Sequence, residues 1–255
     1  MQQLTRWQDR AIGAWLVIIS AFQLYTATVG IFQPRIQRGI HLLFLLPCAF
    51  VLFPAFRKRS GDSVGIINWV LAGLSILPPL YIVYFHERLT ERLDFVDEVL
   101  TIELVLGGLM IVLLLEAIRR AVVPAMAYLI AFFFVYLYLA PFLPGVFYAK
   151  PVVFAEIIEM QYLITDAGIF GSITGVSATF VALFVIFGAF MEVTKTGQFF
   201  TDLACRIAGK SNGGPAKIAV ISSGLFGSIS GVAAANVYST CLLYTSDAAD
   251  ECPAV

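Results

Sequence analysis

The chain has 255 residues, 60% of them hydrophobic and 13% charged, with a formal net charge of −1 and a mean hydropathy of +0.89. Soluble domains are about 45–50% apolar and about 25% charged, so this composition excludes a soluble enzyme, a nucleic-acid binder and a disordered tail, and indicates a polytopic membrane protein. Four cysteines and two histidines supply neither a disulfide framework nor a histidine-rich metal site.

Crossing about 30 Å of hydrocarbon takes roughly 17–25 apolar residues. Six runs meet that length, at 12–32, 39–56, 64–85, 99–118, 121–143 and 169–193. A seventh apolar segment, 216–240, is unusually rich in glycine and serine. The first run is full length and lacks a small-residue cleavage site, so it reads as a span and not as a signal peptide. The fold class expected is an all-α polytopic membrane protein. It has about six transmembrane helices, an interfacial amphipathic helix and a re-entrant helical hairpin.

Basic residues set the orientation. With the N-terminus in the cytoplasm, the inner segments carry Arg6, Arg10, Arg57, Lys58, Arg59, Arg119, Arg120, Lys195, Arg206, Lys210 and Lys217. The outer segments carry Arg35, Arg38, Arg88, Arg92 and Lys150. The imbalance predicts a cytoplasmic N-terminus.

The chain divides near residue 100. Residues 1–100 hold three compact spans and the charged loop 86–98, HERLTERLDFVDE, which reads as a solvated connection or a helical extension of the third span. Tyr81, Tyr84 and Phe85 stand where an aromatic belt anchors that end. Gln23 and Asn68 lie inside spans and are expected to hydrogen-bond across helices. In the sequence LEAIRR, Glu116 and Arg120 are four apart on one helix face and pair as an interfacial anchor. Within 197–209 the apolar residues Phe199, Phe200, Leu203 and Ile207 recur at helical spacing. That pattern predicts an amphipathic helix, either lying at the membrane surface or packed on another part of the protein. The following Gly-Lys-Ser at 209–211 is not a phosphate loop, because the glycine required five positions earlier is Ala204.

One internal similarity stands out. Residues 168–178 read GIFGSITGVSA and residues 224–234 read GLFGSISGVAA. In the second copy, Gly227 and Gly231 weaken a helix inside an apolar segment. Backbone carbonyls freed there must find partners in hydrocarbon. Ser228, Ser230 and Asn236 add oxygen donors beside them. Such a set suits a hard cation such as sodium, and half-helix N-termini suit an anionic substrate. The alternative is close helix packing through small residues. Composition leaves both open.

The last stretch, 241–255, reads CLLYTSDAADECPAV and is abruptly acidic. Its first eleven residues can be encoded by the transposon-end adapter used in sequencing libraries. Residues 241–255 are therefore expected to be adapter read-through, outside the fold, and the chain to be a fragment of a longer protein.

Several segments resemble one family. They are LEAIRR at 115–120, APFLPG at 140–145, GVSATFVALFVIFGAFMEVTKTGQFF at 175–200 and GGPAKIAVISSGLFGSISG at 213–231. From Leu104 to Thr240 the chain resembles the TRAP (tripartite ATP-independent periplasmic) transporters, specifically the fused permeases that work with TAXI-type binding proteins. Residues 101–240 resemble the N-terminal part of the DctM-like large subunit, and residues 1–100 look like the small subunit fused ahead of it. The resemblance implies sodium-coupled import of organic anions (carboxylates), delivered by a periplasmic TAXI-type substrate-binding protein to an elevator-type permease in the lipid bilayer of a bacterial or archaeal cytoplasmic (inner) membrane. It also implies that Gly227, Ser228, Ser230, Gly231 and Asn236 contact sodium and substrate, with Ser228, Ser230 and Asn236 as the sodium ligands. Sodium is then the coupling ion, and no other cofactor is expected. Family members continue into a second, inverted repeat, so the fragment alone is expected to be inactive.

Two other classes were weighed. An intramembrane serine protease needs a Gly-x-Ser-Gly nucleophile, but Ile229 occupies the third place of a motif that starts at Gly227, and His41 and His86 lie outside any such motif. A membrane scaffold or assembly subunit without transport activity is the stronger rival, and it requires no ion dependence.

Overall fold

Apolar runs of this length fold as helices because hydrocarbon offers no partner for a free N–H or C=O. The computed structural model describes residues 6–53, 65–194, 196–208 and 214–229. Among them there is no strand. The expected cation segment at 57–59, the outer part of the glycine-serine segment and the tail 241–255 lie outside the described residues.

Six helical stretches are long and apolar enough to cross a membrane: Arg6–Val29, Pro34–Leu52, Ile66–Tyr84, Thr101–Ala121, Pro124–Phe142 and Ser172–Met191. They coincide with the six expected runs. The first two are α1 (Arg6–Val29) and α2 (Pro34–Leu52). The third is broken into α3 (Ile66–Leu74) and α4 (Leu77–Tyr84). Pro78 and Pro79 explain the break, since neither supplies an N–H to the preceding turn. The Ser75 hydroxyl donates to the Ala72 carbonyl at 2.7 Å there. A short helix, α5 (His86–Glu91), continues beyond Phe85. Then come α6 (Thr101–Ala121) and α7 (Pro124–Leu139).

Two compact units emerge, Met1–Ala178 and Thr179–Val255. The boundary expected near residue 100 falls inside the first. In that unit α2, α4 and α6 gather around Phe50, Ile82, Met110, Leu113, Ile158 and Tyr162. Hydrophobic driving force is weak between helices in lipid, so close packing has to hold them. Gly107 permits it: a Cβ there would lie 2.5 Å from Ile158 Cγ2 and 3.2 Å from Tyr162. Both partners belong to the segment between the fifth and sixth spans, made of α8 (Phe154–Ile158) and a π-helical turn, Glu159–Leu163. Tyr162 is fully buried and donates to the Pro78 carbonyl at 2.7 Å. Burial is the main cause that pushes its phenol above the ordinary value, so it remains a donor.

The second unit contains α10 (Ala182–Val193), α11 (Thr196–Ala208) and α12 (Gly214–Ile229). The amphipathic helix predicted at 197–209 is α11. It packs on α12 through its small face, Ala204 and Ala208 against Ile218. Phe199 and Ile207, from the larger apolar stripe, remain exposed. Of the two expectations for this helix, packing on another part of the protein is seen.

Candidate functional site

The predicted site residues divide sharply. Gly227 and Ser228 lie within α12, while Ser230, Gly231 and Asn236 lie outside the described residues. The expected weakening of the helix at Gly227 does not interrupt it: α12 runs through Gly224, Gly227 and Ser228 to Ile229. A helical glycine costs about 1 kcal/mol, whereas a broken turn in apolar surroundings leaves carbonyls unpaired at several kcal/mol each. No group of three or more metal-ligating His, Cys, Asp or Glu side chains occurs among the described residues.

The first copy of the repeated motif has well-defined partners. Gly168 adopts φ +60° and opens a single 3-10 turn, Gly168–Phe170. Gly171 then leads into α9 (Ser172–Val176) and a π-helical turn, Ser177–Val181. The polar face of α2 grips this entry. Arg35 donates to the Leu163 carbonyl at 2.6 Å. Arg38 donates to the carbonyls of Thr165 and Phe170, the latter at 2.7 Å, and lies 3.5 Å from the Asp166 carboxylate. Gln37 reaches the Ala178 carbonyl at 3.4 Å.

Deeper in the same face, His41 bridges two helices. Gln23 Nε2 of α1 lies 2.9 Å from His41 Nδ1, and His41 Nε2 lies 3.2 Å from Ser177 Oγ. An amide nitrogen can only donate, so Nδ1 accepts and the ring proton sits on Nε2, directed at Ser177. The span polar residue Gln23 thus does cross-link helices, as its position predicts. Asn68 does so too, accepting from Arg120 at 2.9 Å.

Three ion-paired nodes fix the ends of this bundle. Glu103 is fully buried. It accepts from the Leu100 N–H at 2.9 Å, as an N3 acid does at a helix start, and it pairs with Arg88 and the Tyr81 hydroxyl. Glu159 pairs with Arg92 at 2.8 Å, both almost fully buried, and also accepts from the Phe95 N–H at 2.6 Å. At the opposite end Glu116 holds Arg119 and Arg120 at 2.7 and 2.6 Å. Arg120 is buried and lies over the Phe50 ring at 5.2 Å. The interfacial anchor predicted at Glu116 and Arg120 is therefore a tie between α6, α3 and α2. The loop 86–98, read as a solvated connection or a helical extension of the third span, is helical over α5 and mostly exposed, while Arg92 is buried on Glu159 and Arg88 reaches Glu103. Sequence reasoning missed these roles because each partner is remote in the chain.

Residues 109–246 match the family described as Tripartite ATP-independent periplasmic transporter, DctM component. The match covers α7, both motif copies and α12, and runs into the first six residues of the terminal stretch. No curated protein and no solved structure matches. The matched residues make up more than half of the chain, and the chain belongs to the DctM family of TRAP transporter membrane components.

Proposed function

We propose that this chain is part of the permease of a sodium-coupled secondary transporter that imports organic anions received from a periplasmic TAXI-type binding protein, and is inactive by itself. The observation that carries the proposal is the family match over 109–246, which spans the glycine-serine segment. The tripartite family supplies the transport role and a periplasmic binding partner. Sodium coupling, the carboxylate substrate and the TAXI type are the finer parts of the reading.

Neutral oxygens of Ser228, Ser230 and Asn236, with backbone carbonyls near Gly227 and Gly231, form a donor set suited to sodium. The basic-residue bias supports a cytoplasmic N-terminus, and the periplasmic partner of the family supports an inner-membrane setting. Uptake of labelled carboxylates into cells carrying the complete permease and its binding protein tests the reading. Ser230→Ala and Asn236→Ala should raise the sodium concentration needed for half-maximal uptake about tenfold. Unchanged sodium dependence in both removes these residues from the site. Uptake that ignores sodium altogether overturns the coupling, and absence of uptake favours the scaffold alternative.

A further inference from the structure

Three guanidinium groups converge on the segment between the fifth and sixth spans. Arg92, its side chain only 5% exposed, pairs with Glu159 at 2.8 Å. Arg35, also buried, donates to the Leu163 carbonyl at 2.6 Å. Glu159 and Leu163 are the first and last residues of one π-helical turn. The two arginines therefore hold opposite ends of a single turn, and they lie within electrostatic range of each other. Gln33, at the start of α2, donates to the Thr90 hydroxyl at 3.0 Å and ties the loop 86–98 to the same place. Arg38 follows one turn along α2, on Thr165 and Phe170.

The buried charges here do not balance. Among the described residues Arg35 forms no ion pair, and its printed partner is a neutral carbonyl. Glu159 is the one buried carboxylate that meets any of the three arginines among the described residues. Asp166 stands 3.5 Å from Arg38 but is 87% exposed, and Asp94 is exposed as well, so water screens both. Uncompensated buried charge is costly. The opening of α2 adds to the excess, because the helix starts at Pro34 with no side-chain cap and its positive end lies beside Arg35.

Arg92 shows where a compensating group would sit. Its Nε and Nη1 are buried and have no acceptor. A water molecule would satisfy these donors but leave the excess charge. Nη2 is already committed to Glu159 and to the Asp97 carbonyl. No free edge of the guanidinium therefore offers the parallel pair of N–H groups that a carboxylate or phosphate takes bidentately. A spherical anion needs no such pair.

We propose that Arg92, Arg35 and the first turn of α2 enclose one small monovalent anion of the halide class, chloride in the cell, which balances the cluster and fixes the turn 159–163 against α2. The site is independent of the sodium and substrate readings above.

The test is thermal unfolding of the full chain in detergent micelles, with chloride exchanged for gluconate at constant sodium and ionic strength. Chloride and bromide should raise the midpoint by at least about 3 °C over gluconate, and the gain should grow with the logarithm of halide concentration. Arg92→Lys keeps a cation for Glu159 but removes the free guanidinium donors, so it should abolish the gain. Arg119→Lys, at the opposite end of the bundle, should keep it. In wild-type crystals grown with bromide, an anomalous peak should lie within about 3.5 Å of Arg92 Nε or Nη1. Equal midpoints in chloride and gluconate, an undiminished gain in Arg92→Lys, or no bromide beside Arg92 overturns the proposal. A larger gain from sulfate or phosphate than from chloride overturns it in favour of an oxyanion. If Arg92→Lys does not fold, the bromide peak in the wild type decides alone.

Discussion

In the first motif copy, Gly168 sits in the left-handed region and the chain turns into α9 under the grip of Arg35 and Arg38. In the second, the equivalent Gly224 lies inside α12 with open space where a Cβ would stand. The contrast shows that GxFGSIxGVxA does not encode one backbone shape. Glycine permits either conformation at little cost, and the surrounding polar groups decide which is used. Around the first copy, two arginines offer donors to carbonyls that no helix satisfies. The described part of the second copy keeps its own helical hydrogen bonds.

The comparison can be broken by matched substitutions, read as stability against denaturing detergent in mixed micelles. Gly168→Ala should be the most damaging. Its Cβ would lie 2.5 Å from the Gln161 Cα and from the Met160 carbonyl, on top of a left-handed φ. A loss of about 3 kcal/mol or more is expected. Arg38→Ala follows, because it removes the donor from the part-buried carbonyls of Thr165 and Phe170; about 1–3 kcal/mol is expected. His41→Leu strands Gln23 and Ser177 and should cost about 1–2 kcal/mol. Gly224→Ala should cost nothing and gain up to about 1 kcal/mol of helix propensity. Equal losses at Gly168 and Gly224 would show that the two copies do not differ in this way.

The spans were legible because hydropathy and length are properties of the local sequence. The break in the third span was not read, although Pro78 and Pro79 stand at it. The arginines were not legible. Counting basic residues treats Arg35 and Arg38 as loop charges facing water, yet both are directed at carbonyls more than 120 residues away. Four of the five outer basic residues, Arg35, Arg38, Arg88 and Arg92, are engaged by protein groups in this manner. Pattern reading sees charge and periodicity but no remote partner. For the same reason Glu116 and Arg120 looked like a surface pair, while Asn68 and Phe50 complete a buried node. Of the proposed sodium ligands, sequence supplies the donor types, and only Ser228 falls in a described helix.

The two copies share residues, and under the proposed function they divide the work, the first holding the fold and the second holding the ion. Thr174 and Ser230 occupy the same place in the two copies. Thr174 donates to the Ile169 carbonyl at 2.5 Å and so belongs to the structural copy. The most direct measurement is the sodium dependence of carboxylate uptake by the complete transporter carrying Thr174→Ala or Ser230→Ala, with stability measured alongside. The account predicts that Thr174→Ala lowers stability and leaves sodium dependence unchanged, while Ser230→Ala shifts sodium dependence and leaves stability unchanged. An equal shift of sodium dependence in both variants, or in neither, would contradict it.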